Sequence, residues 1–269
     1  MPSMFRAFTL IFSLLCFLGT AFKSSSQNQP IKLSKEAQIS VITFGPYQGE
    51  LWSAFGHNGI RVFDPLLDMD WMYDWGRFDF EQTNFFWDFA RGKMLYSIGR
   101  TQKYPNVKSF YIKQNRSVKE QVLNLSQAEN QAFFNSLEHN NLPENRTYLY
   151  NYVYDNCATK IRDIIQEVVP TATLDLSFKV PKKSVRDLMD DYLSDQPWGD
   201  FIIDVALAHP IDNEASAETY LFLPDYVHLA LEGGTIENIV DTLPLVKDSI
   251  AINVMKNGKY TQSTFDPFN

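Results

Sequence analysis

YDNCATKIRDII, residues 154 to 165, decides the reading of this chain, because it places Cys157 at the expected first turn of an amphipathic helix. Asp155 or Asn156 stands where a helix cap belongs, and a capping oxygen satisfies peptide N–H groups that have no partner within the first turn. Those N–H groups, with the helix dipole behind them, favour a thiolate at Cys157. Ile161, Ile164, Ile165 and Val168 follow on the cysteine's side at helical spacing, while Lys160, Arg162, Asp163 and Glu167 take the other face. The thiol is therefore expected to look inward. A reactive thiol so placed needs a basic partner from elsewhere in the chain, and the best candidate is His57, far upstream.

Composition bounds the function classes. The chain has 269 residues, 45% hydrophobic and 14% aromatic, which is enough to bury a core in one large domain or two small ones. A net charge of -8 leaves no basic surplus to displace counterions from phosphates, which argues against nucleic acid as a partner. Residues 1 to 22 carry one arginine and an apolar run from Ala7 to Phe22, and residues 23 to 36 form a polar linker. This reads as a secretory signal with Gly19-Thr20-Ala21 at its cleavage site, or alternatively as an uncleaved anchor in the inner membrane. Cys16 lies inside the run after a leucine and reads as part of the signal. No other window approaches about 18 consecutive apolar residues, so the remainder is expected to be soluble. Cys157 is then the only cysteine of the mature chain. In an oxidising compartment a lone thiol points to reactivity or intermolecular pairing. The plain alternative is a small buried apolar residue.

Taken in order, QISVITF at 38 to 44 reads as a buried strand, and GELWSAF as a helical turn or two. His57 follows between Gly56 and Gly59 at the entrance of a second strand. DMDWMYDWGRFDF at 68 to 80 reads as a third strand, with Trp71, Tyr73 and Trp75 on one face and Met72, Asp74 and Gly76 on the other. Residues 83 to 98 have helical spacing, with aromatics almost all round, and VKSFYIKQN at 107 to 115 alternates like a strand. Ser126 with Glu129 forms a capping-box signature for a helix carrying Phe133, Phe134 and Leu137 inward. RTYLYNYVY, from Arg146 to Tyr154, reads as a strand or extended arm with Tyr148, Tyr150, Tyr152 and Tyr154 along one face. Further helices are expected after Ser184 and from about Asp225. The tail from Val246 forms a small edge strand or stays loose. His209 and His228 are alternative partners for Cys157, each flanked by apolar residues and without a supporting motif.

No HExxH, paired CxxC or DxDxDG pattern occurs, so no metal site is expected, and no Gly-rich phosphate loop or GxSxG elbow points to a cofactor or a serine nucleophile. Thiol chemistry remains. It needs a thiolate, a histidine to carry its proton and a polar group to hold the imidazole. Here these would be Cys157 on a helix start, His57 on a strand, and Asp74, or less well placed Asp79, on the adjacent strand. Histidine before cysteine is the order of circularly permuted papain-like enzymes. The fold class expected is therefore α+β: an NlpC/P60-like antiparallel sheet with the cysteine helix packed on it, helical insertions and a C-terminal helical extension.

ELWSAFGHNGIRVFDP, YDWGRFDF, FARGKMLYSI, YDNCATKIRDII and the stretch from PWGDFIIDVALAHPIDNEAS to FLPD together resemble the Lnb N-terminal periplasmic domain family, over roughly residues 38 to 240. The resemblance implies a periplasmic domain, placed here at residues 37 to 245 with a tail from 246 to 269. It also implies lipoprotein N-acylation, with a phospholipid as acyl donor, a lipoprotein N-terminus as acceptor and a membrane surface as the setting. In that scheme Cys157 of DNCAT is the nucleophile and His57 of FGHNGI the base. Two other readings stay open: a papain-like amidase or peptidase using the same thiol, and a noncatalytic envelope module in which Cys157 is only packing.

Overall fold

QISVITF forms β1 (Gln38–Phe44), in which six of seven residues are buried, including the polar Ser40 and Thr43. A strand so fully covered belongs at the centre of a sheet with elements on both faces. In the computed structural model, residues 30–79, 81, 83, 87–88, 93–178, 182–238 and 240–254 are described. The chain divides into two compact units, Met1–Lys32 and Leu33–Asn269. The first lies almost wholly outside the described residues, and the expected signal or anchor with it. Among the described residues no helix is long and apolar enough to cross a membrane.

The second unit is an α+β fold on a seven-stranded antiparallel sheet. After β1 come β2 (His57–Asp64), β3 (Met69–Arg77), β4 (Leu95–Thr101), β5 (Val118–Leu123) and β6 (Thr147–Leu149). A two-residue β7 (Ala172–Thr173) pairs with β8 (Thr235–Glu237) and that with β9 (Thr242–Pro244) in a small second sheet, and β10 (Val246–Asn253) returns to the first. The large sheet runs β10-β5-β1-β2-β3-β4-β6, so β2 and β3 lie near its middle. Six α-helices occur among the described residues: α1 (Tyr104–Lys113), α2 (Gln127–Asn140), α3 (Cys157–Val168), α4 (Val185–Leu193), α5 (Pro197–Leu207) and α6 (Pro224–Glu232).

The main core lies where α2, α3 and α6 cover one sheet face. Phe133 and Phe134 of α2, Ile161, Ile164 and Ile165 of α3, and Val227 and Leu231 of α6 meet Val41, Ile60, Val62, Tyr73 and Trp75. On the other face α1 covers Ile42, Phe44 and Met72 with Tyr104, Val107 and Tyr111. The alternation expected for residues 68 to 80 holds in β3 from Trp71 to Trp75, and the strand ends at Arg77. A third cluster gathers Val185, Leu188 and Leu193 of α4 with Ile203, Tyr220, Phe222 and Ala54.

Two expected elements differ in kind. Residues 107 to 113 are helical, within α1, and 114 and 115 form the turn after it, so the segment is not a strand: Pro105 sits in the first turn, where its missing N–H costs nothing, and Tyr104, Val107 and Tyr111 make a helical stripe. Of the helix expected over 83 to 98, residues 84–86 and 89–92 lie outside the described residues, and Leu95 onward is strand β4, with Tyr96 and Ile98 inward and pairing to both β3 and β6. β5 carries no clean alternation because it is a central strand with Glu120 and Gln121 buried beside Val118 and Val122. The tail from Val246 takes the edge-strand form, antiparallel to β5.

Helix α3 begins at Cys157 because Asn156 stops the preceding turn. Its Oδ1 accepts from the Ala158 and Thr159 N–H groups, its own N–H donates to Thr159 Oγ1, and its Nδ2 donates to the Tyr152 and Phe222 carbonyls. The side chain is 5% exposed, so none of these partners has water in reserve. Asn156→Ala therefore loses a cap worth about 1 kcal/mol and also strands two carbonyls, for a total of roughly 2–4 kcal/mol. Ser126→Ala, which removes an exposed capping box from α2, costs only about 1 kcal/mol. Urea unfolding of the two variants side by side checks the difference.

Candidate active site

The residues that meet at the mouth of the sheet come from α3, β2 and β3. Cys157 is the first residue of α3, a free thiol that is only partly buried, whereas its neighbours Asn156, Ala158 and Thr159 are buried. His57 is the first residue of β2, paired in register with Phe44. Gly56 turns the chain into that strand at φ +84°, and a Cβ there would lie 2.7 Å from the Phe44 carbonyl oxygen, so this approach to His57 requires glycine. The imidazole stacks on Phe44 at 6.3 Å between ring centroids, and Phe44 in turn stacks on Tyr111 of α1 at 3.7 Å.

Asp74 sits on β3, and its Oδ2 lies 3.2 Å from His57 Nε2, both side chains being 19% exposed. That leaves Nδ1 of the ring for the sulfur. The second carboxylate oxygen, Oδ1, accepts from Nε and Nη2 of Arg77, and Nη2 also donates to Thr101 Oγ1 at 2.9 Å. The line of groups is therefore thiol, imidazole, carboxylate, guanidinium. Asp79 lies elsewhere: it is exposed, and its Oδ1 caps the Glu81 N–H. His209 is 89% exposed and pairs with Asp212. His228 is buried in α6, its pKa held down first by that burial, and its carbonyl accepts from Gln121 of β5. Neither imidazole is among the groups that act on Cys157.

Electrostatics favour a charge-separated pair. Burial pushes the Cys157 thiol up, but the charge and hydrogen bond of His57, joined by the Asn58 backbone N–H, bring it below an ordinary thiol. Burial alone would lower the His57 pKa; Tyr111, the Cys157 sulfur and the Asp74 carboxylate reverse this and carry it well above an ordinary imidazole. Burial likewise works against an ionised Asp74, and His57 and Arg77 outweigh it and lower its pKa. The arrangement can hold a thiolate, return a proton from the imidazolium, and keep the imidazole oriented while it does so.

The tyrosine arm reaches the same place in part. Tyr148 and Tyr150 are near enough to the Cys157 sulfur for its charge to act on both phenols, whose pKa values are raised first by burial. Tyr150 stacks on Tyr96 at 4.2 Å and meets Tyr152 edge-on, whereas Tyr154 is 68% exposed. The face therefore ends at Tyr152. Asn151 is the reason, because its Oδ1 accepts from the Val153 and Tyr154 N–H groups and turns the chain. Sequence reasoning missed Arg77, Thr101, Tyr111 and the Asn58 N–H. A glycine inside a strand pattern, as in YDWGR, is the signal that could have pointed to Arg77, since it commonly marks a bulge.

Among the described residues one group could hold a metal ion: Asp190 on α4 with Asp200 and Asp204 on α5, whose ligand atoms lie within 4.8 Å of one another. Arg186 already places a cation there, paired with Asp204 and Asp212. Burial and the Asp200 charge push Asp190 up to about 6, and the Arg186 guanidinium works against that rise.

A family model described as the Lnb N-terminal periplasmic domain matches residues 28–191, a span that contains Cys157, His57 and Asp74. No curated protein matches the chain. Among solved structures, a crystal structure of the Type VI secretion system effector TseH is 14% identical, covers 50% of this chain and 78% of its own, and superposes with a TM-score of 0.33, too slight a likeness to bear on fold or activity.

If the Cys157 and His57 charges support each other, iodoacetamide alkylation of Cys157 shows a pH midpoint below that of an ordinary thiol. In His57→Asn the midpoint rises, and the rate below it falls by about tenfold for each unit of the shift. The pH dependence of the alkylation rate, read by mass spectrometry, checks both.

Proposed function

The chain belongs to the Lnb N-terminal periplasmic domain family, and from that premise we propose that it is a periplasmic cysteine acyltransferase that carries an acyl chain as a thioester on Cys157. The observation that carries the reading is the position of Cys157 at the start of α3, beside a His57 that Asp74 holds from behind. The order of these groups along the chain, with the histidine on the sheet and the cysteine on the helix packed against it, fits a permuted papain-like site.

The thiolate of Cys157 attacks the ester carbonyl of a phospholipid. The C–O bond to the glycerol oxygen breaks, that oxygen takes the proton of the His57 imidazolium, and a lysophospholipid leaves. The thioester then meets the free α-amine of a diacylglyceryl-cysteine at a lipoprotein N-terminus. His57, now neutral, takes the amine proton as the new amide forms, and the C–S bond breaks to restore the thiolate and the imidazolium. The Asn58 N–H, which favours negative charge at the sulfur, is a backbone donor for the developing oxyanion. The Tyr96, Tyr148, Tyr150 and Tyr152 rings form an apolar wall beside it.

A lipid donor also accounts for α5. Trp198, Phe201, Ile202 and Val205 follow at positions i, i+3, i+4 and i+7 and are 39% to 65% exposed, while Asp200 and Asp204 of the same helix face Asp190 and Arg186. This helix turns its apolar stripe outward and its charges inward, the reverse of an ordinary surface helix, and an apolar face of that kind suits the interfacial zone of a bilayer. It packs against the segment that leads to His57, because Gln196 Nε2 donates to Gln48 Oε1 and Gly199 packs on Leu51.

Two measurements test the reading. Incubation with a phospholipid and a synthetic diacylglyceryl-cysteine peptide is expected to yield the N-acylated peptide and lysophospholipid in equal amounts, with neither from Cys157→Ala. Free fatty acid without acylated peptide would instead favour the hydrolase reading, and no product of either kind would overturn the enzyme assignment. In vesicle sedimentation, replacing Ile202 and Val205 by Ser is expected to weaken binding to phospholipid vesicles roughly tenfold or more while Cys157 alkylation stays unchanged.

A further inference from the structure

Strict strand alternation would put Arg77 on the opposite face of β3 from Asp74, together with Tyr73 and Trp75, whose side chains enter the main core. The pairing with β4 shows why it does not. Asp74 faces Gly99 and Trp75 faces Ile98, but the next pair is Arg77 with Ser97, so β3 advances two residues while β4 advances one. Gly76 is the extra residue, at φ +99°, a conformation that a residue with a Cβ enters only with strain. The bulge returns Arg77 to the face of Asp74.

Space for the guanidinium comes from β4. Gly99 lies directly across from Asp74, and a Cβ on it would stand 2.5 Å from Cδ, Nε and Cζ of Arg77. Two residues on, on the same face, Thr101 Oγ1 accepts from Nη2. Four positions on two strands, Asp74, Gly76, Gly99 and Thr101, are thus shaped around one side chain. Both Arg77 donors aimed at Asp74 go to Oδ1, which leaves Oδ2 for His57 alone. An ion pair in which the guanidinium is 40% exposed contributes little to stability, so folding does not account for this arrangement.

We propose that Arg77 is a positioning residue: through the Gly76 bulge and the gap over Gly99 it holds the Asp74 carboxylate in the one orientation that keeps Oδ2 on His57, and with it keeps the imidazole on Cys157. The inference rests on the reading of Cys157 and His57 as nucleophile and base. His57 is faced by Asp74 from β3, Cys157 from α3 and Tyr111 from α1.

The test is the titration of the His57 ring, followed by NMR in the whole protein, with Cys157 alkylation measured in parallel and neither reading requiring substrate. If Arg77 acted only as a nearby positive charge, removing it would stabilise the imidazolium and raise the His57 midpoint. A positioning role predicts the reverse, since a carboxylate free to rotate no longer pairs with Nε2. In Arg77→Met the His57 midpoint is expected to fall by about half a unit or more, and alkylation near pH 6.5 to slow about threefold to tenfold, with the melting temperature nearly unchanged. Gly99→Ala keeps the charge but pushes the guanidinium aside; the three atoms nearest its added Cβ all belong to the flexible Arg77 side chain, so it is expected to fold and to move both readings in the same direction. Arg77→Lys restores the charge without the fork and recovers the effect only in part. A His57 midpoint that stays put or rises in Arg77→Met overturns the inference. A wild-type protein whose thiol titrates as an ordinary one would bring down the nucleophile reading and this inference together.

Discussion

Everything at this site depends on how α3 docks on the sheet. The stripe of Ile161, Ile164 and Ile165 packs in the core that β2 and β3 line, at roughly 1.5–3 kcal/mol for each buried side chain. Apolar packing of that kind is strong but tolerant of small slides along the helix axis. Asn156 removes the tolerance: its bonds to Tyr152 and Phe222 fix the height at which the helix begins, and its bonds to Ala158 and Thr159 fix where the first turn points. Cys157 is the next residue. The sulfur is thereby placed by a buried amide rather than by its own contacts, which leaves it free to react.

The second constraint is charge. A thiolate and an imidazolium in a partly buried site are costly unless each is paired. With the thiol ionised and the imidazole protonated, the charges alternate along one line, negative at Cys157, positive at His57, negative at Asp74 and positive at Arg77, so that each member of that state has an opposite neighbour. The outermost member is the most exposed, at 40%, so the desolvation cost falls away toward solvent. Such a line can move a proton at its inner end without leaving a net charge inside.

The sequence made the inner part of this legible because the signals there are local. A cap residue followed by a helical stripe defines α3, Ser184 marks the start of α4, and the alternation of Trp71, Tyr73 and Trp75 against Met72 and Asp74 defines β3. Asp74 could be set beside His57 on those grounds. Misreadings came where two periods fit the same residues. Val107 and Tyr111 suit a helix as well as the alternation of VKSFYIK suits a strand, and only the partners on the sheet decide for the helix. Residues 95 to 98 suit the helical pattern of 83 to 98 when read alone, because pairing with β6 is a long-range fact. Arg77 was hidden for another reason: a bulge inverts the face of every residue beyond it, and no count by twos survives it.

The family match spans residues 28–191, and within that span three separate elements bring together groups suited to thiol chemistry. The central claim is that Cys157 carries an acyl group. Intact-mass spectrometry after mixing the protein with phospholipid tests it most directly. The account predicts a gain of one acyl chain, located on the peptide that contains Cys157 and removed by hydroxylamine as a thioester is. A protein whose mass stays unchanged, although Cys157 alkylates readily, would contradict it.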